Sequence, residues 1–117
     1  MKKTLLILAA VLFTLNVFSQ DITGQWSGSL NNHGREMKIV FNVKKMIGGY
    51  SVTLDSPEQN LKKIHARTTY FENSVIRIDV AKAGIEFLGS IDENNQLIGT
   101  LKQSNELFPL ILKKKTN

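Results

Sequence analysis

The sequence predicts an all-β domain: an antiparallel meander of about eight strands, rolled into a small closed or nearly closed barrel. Three observations carry that expectation. Apolar residues recur with a period of two almost everywhere after residue 24, as in Met37, Ile39, Phe41 and Val43. Turn-forming clusters separate these runs at short, regular intervals. The intervening polar positions point to strands with one face in a core and the other in water, which favours antiparallel pairing.

The chain opens with a different pattern. Lys2 and Lys3 precede an apolar run from Leu5 to Leu15, which gives way to Asn16–Ser19. This is the order of a secretory signal peptide, expected over residues 1–19. The run is too short for a stable membrane span, which needs about 20 residues. Cleavage after Ser19 would leave residues 20–117 as a single exported domain, in the periplasm or outside the cell, with no transmembrane segment. The chain has no cysteine. Lipid anchoring at the new N-terminus, thiol catalysis and thiolate zinc sites are therefore excluded, and the core must hold the fold without disulfides.

The formal charge is +5. Setting aside Lys2, Lys3 and the terminal Lys113, Lys114 and Lys115 leaves as many basic as acidic residues. The body is neutral, which argues against a nucleic-acid partner. Residues 113–117 read as a short basic tail.

Strands are expected at about 24–30, 36–45, 49–55, 63–71, 74–81, 84–92, 96–103 and 106–113. The first contains Trp26. The second and third alternate cleanly through Phe41 and Leu54. Ser56-Pro57-Glu58-Gln59 then has the spacing of a capping box, with proline at the first helical position, so one helical turn should close a barrel end. The fourth strand, with Ile64, Ala66, Thr69 and Phe71, has an ambiguous phase and suggests a bulge. Later runs pass through Ile78, Phe87 and Leu101. Pro109 marks the last strand as an edge or as bulged, because proline cannot donate to a ladder. Gly28, Gly89 and Gly99 fall at inward positions and imply close backbone approach. Inward Met37, Ile39, Phe41, Tyr50, Ile78 and Phe87 predict a mostly filled interior.

No catalytic motif is present. The nearest approach to a nucleophile elbow, Gly49-Tyr50-Ser51-Val52-Thr53, lacks its second glycine. No metal site is expected, since the two histidines, His33 and His65, lie far apart in sequence, and no cofactor is implied. His33 reads as a solvated turn residue. His65 beside Arg67 reads either as structural or as an oriented base without a nameable partner. Trp26 reads either as a core plug or as a ligand contact at a barrel mouth. Trp26, Tyr50, His65, Arg67 and Phe87 are the candidate ligand-binding residues.

The segment Gly24–Leu30 resembles the opening Gly-x-Trp strand of avidin-like and lipocalin-like barrels. A broader likeness covers nearly all of the chain after residue 19. Gly24–Leu30, Leu54–Gln59, Ala83–Gly89, Ile98–Leu101 and Phe108–Leu112 resemble the small β-rich domain that precedes the catalytic domain in exported bacterial α/β-hydrolases of the serine aminopeptidase type. The hydrolase's serine, acid and histidine have no counterpart here. The resemblance implies a free-standing accessory domain. Three functions follow as expectations. One is a non-catalytic binding or accessory module for a small apolar ligand or an envelope protein. Another is docking in trans onto a separate secreted hydrolase. The last is an enzyme in its own right.

Overall fold

The computed structural model describes residues 21–116. The expected signal peptide lies outside them. Nine strands form one antiparallel sheet: β1 (Gly24–Asn32), β2 (Arg35–Met46), β3 (Gly49–Ser56), β4 (Leu61–His65), β5 (Thr68–Glu72), β6 (Val75–Val80), β7 (Ile85–Ile91), β8 (Gln96–Gln103) and β9 (Glu106–Lys114). Short 3-10 turns occupy Pro57–Gln59 and Ala81–Ala83. The strand order is β4-β3-β2-β1-β9-β8-β7-β6-β5.

Hairpin chemistry sets this meander. His33 and Gly34, Asn73 and Ser74, and Ser104 and Asn105 all have positive φ. Each pair forms a two-residue loop, and left-handed backbone at both positions matches the twist of the flanking strands. The Asn31 side chain secures the first loop by accepting the Gly34 N–H at 2.7 Å.

The sheet curls onto itself. Phe41 on β2 and Phe87 on β7 lie well apart in strand order, yet their rings meet at 5.8 Å between centroids. Both are fully buried, with Trp26, Ile39, Leu54, Ile76, Ile78, Leu101 and Leu112 in the same cluster. Inward Met37 is also buried, while Tyr50 is half-buried at the margin of the core. Gly99 lies where the sheet coils tightly: a Cβ there would stand 2.5 Å from the Gly89 Cα and collide with the Leu88 carbonyl.

The predicted fourth strand is two strands, which corrects the count of eight. Residues 61–72 change neighbours partway along. Ile64 and His65 pair with β3, and the Ala66 N–H donates to Val52 O. The Arg67 N–H instead donates to Asp79 O, and Thr68–Glu72 pair with β6. β4 and β5 are thus the two sheet edges, joined by Ala66 and Arg67 alone. Tyr50 on β3 and Phe71 on β5 pack edge to face at 6.1 Å across the remaining gap.

Two further expectations change. β9 is interior to the sheet, between β8 and β1. Pro109 is tolerated because β1 ladders only with Lys113 and Lys114. Pro109 opposes Thr100, three pairs beyond the Gln103–Glu106 pair that closes the hairpin. By the alternation of antiparallel pairs, its nitrogen faces the unladdered side. Lys113 and Lys114 belong to β9 rather than to a tail, and the Lys115 N–H donates to Gln25 O.

The turn at Pro57–Gln59 does not form a capping box, since Ser56 makes no side-chain cap bond. Instead the Gln59 amide donates to the buried Ser56 hydroxyl at 3.1 Å and accepts from Gln103 of β8 at 2.6 Å. The turn is thereby tied to a distant strand.

Candidate functional site

With the inward positions filled by apolar side chains, the polar partners of the same strands meet on the outer face of β1–β4. Register aligns Gln25, Asn42, Thr53 and His65 as successive cross-strand neighbours. Their inward counterparts, Trp26, Phe41, Leu54 and Ile64, belong to or pack against the core.

Hydrogen bonds give this row a direction. The Gln25 amide donates to Asn42 Oδ1 at 3.0 Å. The Asn42 amide donates to Asp55 Oδ2 at 2.9 Å and to Thr53 Oγ1 at 3.3 Å. Thr53 therefore accepts inside the network, which leaves its O–H to donate elsewhere. Asp55 gathers the chain of donors and also accepts the Lys63 backbone N–H at 2.7 Å.

A β-bulge forms the wall beside this row. Leu54 pairs with Ile64 and Ser56 with Leu61, so Asp55 faces both Lys62 and Lys63. Two residues opposing one define a bulge, which re-aims side chains. Leu61 and Ile64 both pack on the core, while Lys62 and Lys63 are both exposed. Without the extra residue, strict alternation would send adjacent lysines to opposite faces. Lys63 has φ +51°, a left-handed conformation that few residues with a side chain adopt.

Two hollows of about 560 Å³ and 570 Å³ flank Lys63 and share Gln25, Asp55 and Lys63 in their walls. Both fall within the roughly 300–1,000 Å³ of small-molecule sites. Together they form a groove across the outer face. The first reaches Lys44, Ser51 and His65, and the second reaches Lys38, Val40 and Pro57. At the latter end, Glu58 stands beside β2 beyond the last β3 pairing and accepts the Lys38 N–H at 2.9 Å. That bond holds the Glu58 carboxyl below its ordinary pKa, and the Arg35 and Lys38 charges add to the effect. The Arg35 guanidinium donates to Glu58 O at 2.9 Å.

The five residues singled out by sequence do not gather. Trp26 is fully buried and donates its indole N–H to Ile22 O at 2.9 Å. Phe87 is fully buried against Phe41. Tyr50 lies at the β3–β5 gap. Arg67 is paired with Asp79 at 2.6 Å. Only His65 lines the groove, and the change of partner at Ala66 separates it from Arg67. Sequence reasoning missed Gln25, Asn42, Thr53, Asp55 and Lys63. Their one signal was polarity at outward strand positions, which solvent alone also explains.

A second surface feature lies on β7–β9. Leu88, Ile98 and Ile111 are outward and about half exposed, at 49%, 44% and 51%. Ile98 and Ile111 are direct cross-strand neighbours. Among the described residues, no group of three or more acidic, histidine or cysteine side chains is placed to hold a metal ion. No described helix is long and apolar enough to cross a membrane. No protein-family model, curated protein or solved structure matches the chain.

Proposed function

We propose that this protein is an exported, non-catalytic binding module built on a small lipocalin-like barrel, and that it binds on the outside of the barrel. The observation that carries the reading is a contrast between two faces of the same strands. The inward face is occupied by Trp26, Phe41 and Phe87, all with no exposed surface. The outward face carries a groove with an ordered row of polar groups. Preorganised hydrogen-bonding groups in a concavity favour a polar ligand over the small apolar one expected from sequence. On this reading residues 61–72 close the barrel by lending one half to β3 and the other to β6.

The test is equilibrium binding against a panel of oligosaccharides, peptides and fatty acids, run on wild type and Thr53→Val. Thr53→Val keeps the side-chain shape and removes the hydroxyl. A polar ligand whose affinity falls about tenfold in the variant supports the groove, since one lost hydrogen bond is worth about 1 kcal/mol or more. Saturable binding of a fatty acid that Thr53→Val leaves untouched would move the site to the interior.

The apolar neighbours Ile98 and Ile111 favour a second reading, docking onto a separately exported α/β-hydrolase, in line with the accessory-domain resemblance. Sedimentation of the mixture checks it: Ile111→Lys should abolish the complex if this face forms the contact.

A further inference from the structure

Resting on the groove reading above, we propose that the groove's ligand is an acidic sugar: a polyol carrying a carboxylate or phosphate group. The lysines at the bulge and on β2 would receive the anion, and the transverse row would receive the hydroxyls.

The charge argument comes first. Four lysines, Lys38, Lys44, Lys62 and Lys63, line the two hollows, against the single carboxylate of Asp55. That carboxylate already accepts from Asn42 and from the Lys63 backbone. The other nearby acid, Glu58, accepts the Lys38 N–H. The ion pairs found among the described residues join His33 to Glu106, Arg67 to Asp79 and Arg77 to Glu86, and none uses a lysine. Among the described residues, the ammonium groups of Lys44, Lys62 and Lys63 therefore line the groove without a carboxylate in ion-pair contact, and that of Lys38 shares the field of Glu58, although the body as a whole is close to neutral.

The bulge supplies a second, independent observation. It places consecutive lysines on one face, and it does so with Lys63 in a backbone conformation that costs about 1–2 kcal/mol for a residue with a Cβ. Backbone held in a sparsely populated region, with a side-chain acceptor fixing it, concentrates at ligand sites. Here Asp55 acts as the positioning residue: it holds the bulge, and the bulge aims the two ammonium groups.

The row decides against a bare anion. Gln25, Asn42 and Thr53 add neutral amide and hydroxyl groups that both donate and accept, which complements sugar hydroxyls. An inorganic oxyanion would leave that half of the groove without a partner.

Calorimetry on the whole protein tests this with four probes: a uronic-acid trisaccharide, a hexose phosphate, the matching neutral trisaccharide and inorganic phosphate. The expected result is binding of one or both acidic sugars, with the neutral sugar and inorganic phosphate each about tenfold weaker or silent. Which acidic sugar binds identifies the anionic group. Binding should weaken as salt rises, because exposed charges are screened. Lys62→Gln and Lys63→Gly should each cost about tenfold, while Lys102→Gln, on β8 and outside both hollows, should cost nothing. Lys63→Gly keeps the bulge, since glycine accepts its φ. Equal affinity for the neutral sugar, indifferent to the lysine variants but lost in Thr53→Val, would overturn the anionic proposal and leave the groove reading standing. Equal affinity for inorganic phosphate would overturn the sugar component. Silence from both acidic sugars would overturn the proposal outright.

Discussion

The Asp55 carboxylate accepts the backbone N–H of Lys63 at 2.7 Å, and this bond organises the outer face of β1–β4. Asp55→Ala removes the acceptor for both Lys63 and the Asn42 amide. The expected loss is about 1–3 kcal/mol in urea unfolding. Lys63→Val should also destabilise, by about 1–2 kcal/mol, because a β-branched residue resists positive φ. Lys63→Gly should leave the unfolding midpoint unchanged or raise it. A stable Lys63→Val beside a destabilised Lys63→Gly would contradict the bulge.

Trp26 is a structural residue on this account. Its ring is buried beneath the Lys114 ammonium, 5.9 Å from the ring centroid, and its N–H is satisfied by Ile22. Emission should be blue-shifted and resistant to acrylamide, and ligands of the groove should leave it nearly unchanged. Trp26→Ala should cost about 3–5 kcal/mol, as for other buried aromatic truncations. Quencher-sensitive emission would place the ring at a surface instead.

Tight coiling makes Gly99 irreplaceable. A methyl group there meets the backbone of Leu88 and Gly89, and neither can yield as a side-chain tip can. Gly99→Ala should cost about 1–3 kcal/mol or more through backbone displacement. Gly34→Ala places a methyl group in open space and serves as the contrast, suffering only from its positive φ. Denaturant midpoints of the two variants rank these costs.

Glu58 gives the fold an acid-sensitive contact. The Lys38 N–H holds its folded pKa below the ordinary value, so its contribution is present at neutral pH. It is lost as pH falls below the usual glutamate range and through the lowered folded value. The thermal midpoint should therefore hold near neutrality and fall in acid, and Glu58→Gln should flatten part of that fall. An identical acid profile in the variant would show that other carboxylates carry it.

Much of the fold was legible because its determinants are local. Period-two alternation located most of the strands between residues 24 and 113, and turn residues such as His33-Gly34 and Ser104-Asn105 placed the hairpins. The fourth strand lost its phase for two reasons that only pairing reveals: the bulge at Lys62–Lys63 and the change of neighbour at Ala66. Pro109 suggested an edge, and locally β9 behaves as one, although β1 joins it further along. The site was far less legible. Gln25, Asn42 and Thr53 look like ordinary solvent-facing residues until register sets them side by side. Trp26 and Phe87 drew attention by size, and their apolar bulk belongs to the core.

Amide NMR spectra of the isotope-labelled protein, titrated with the acidic sugar that binds in calorimetry, test the central claim most directly. The account predicts shifts clustered at Gln25, Asn42, Thr53, Lys63 and His65, with Phe87 and Leu101 unmoved. Shifts centred on Trp26, Phe41 and Phe87, with the outer row silent, would contradict it and put the ligand inside the barrel.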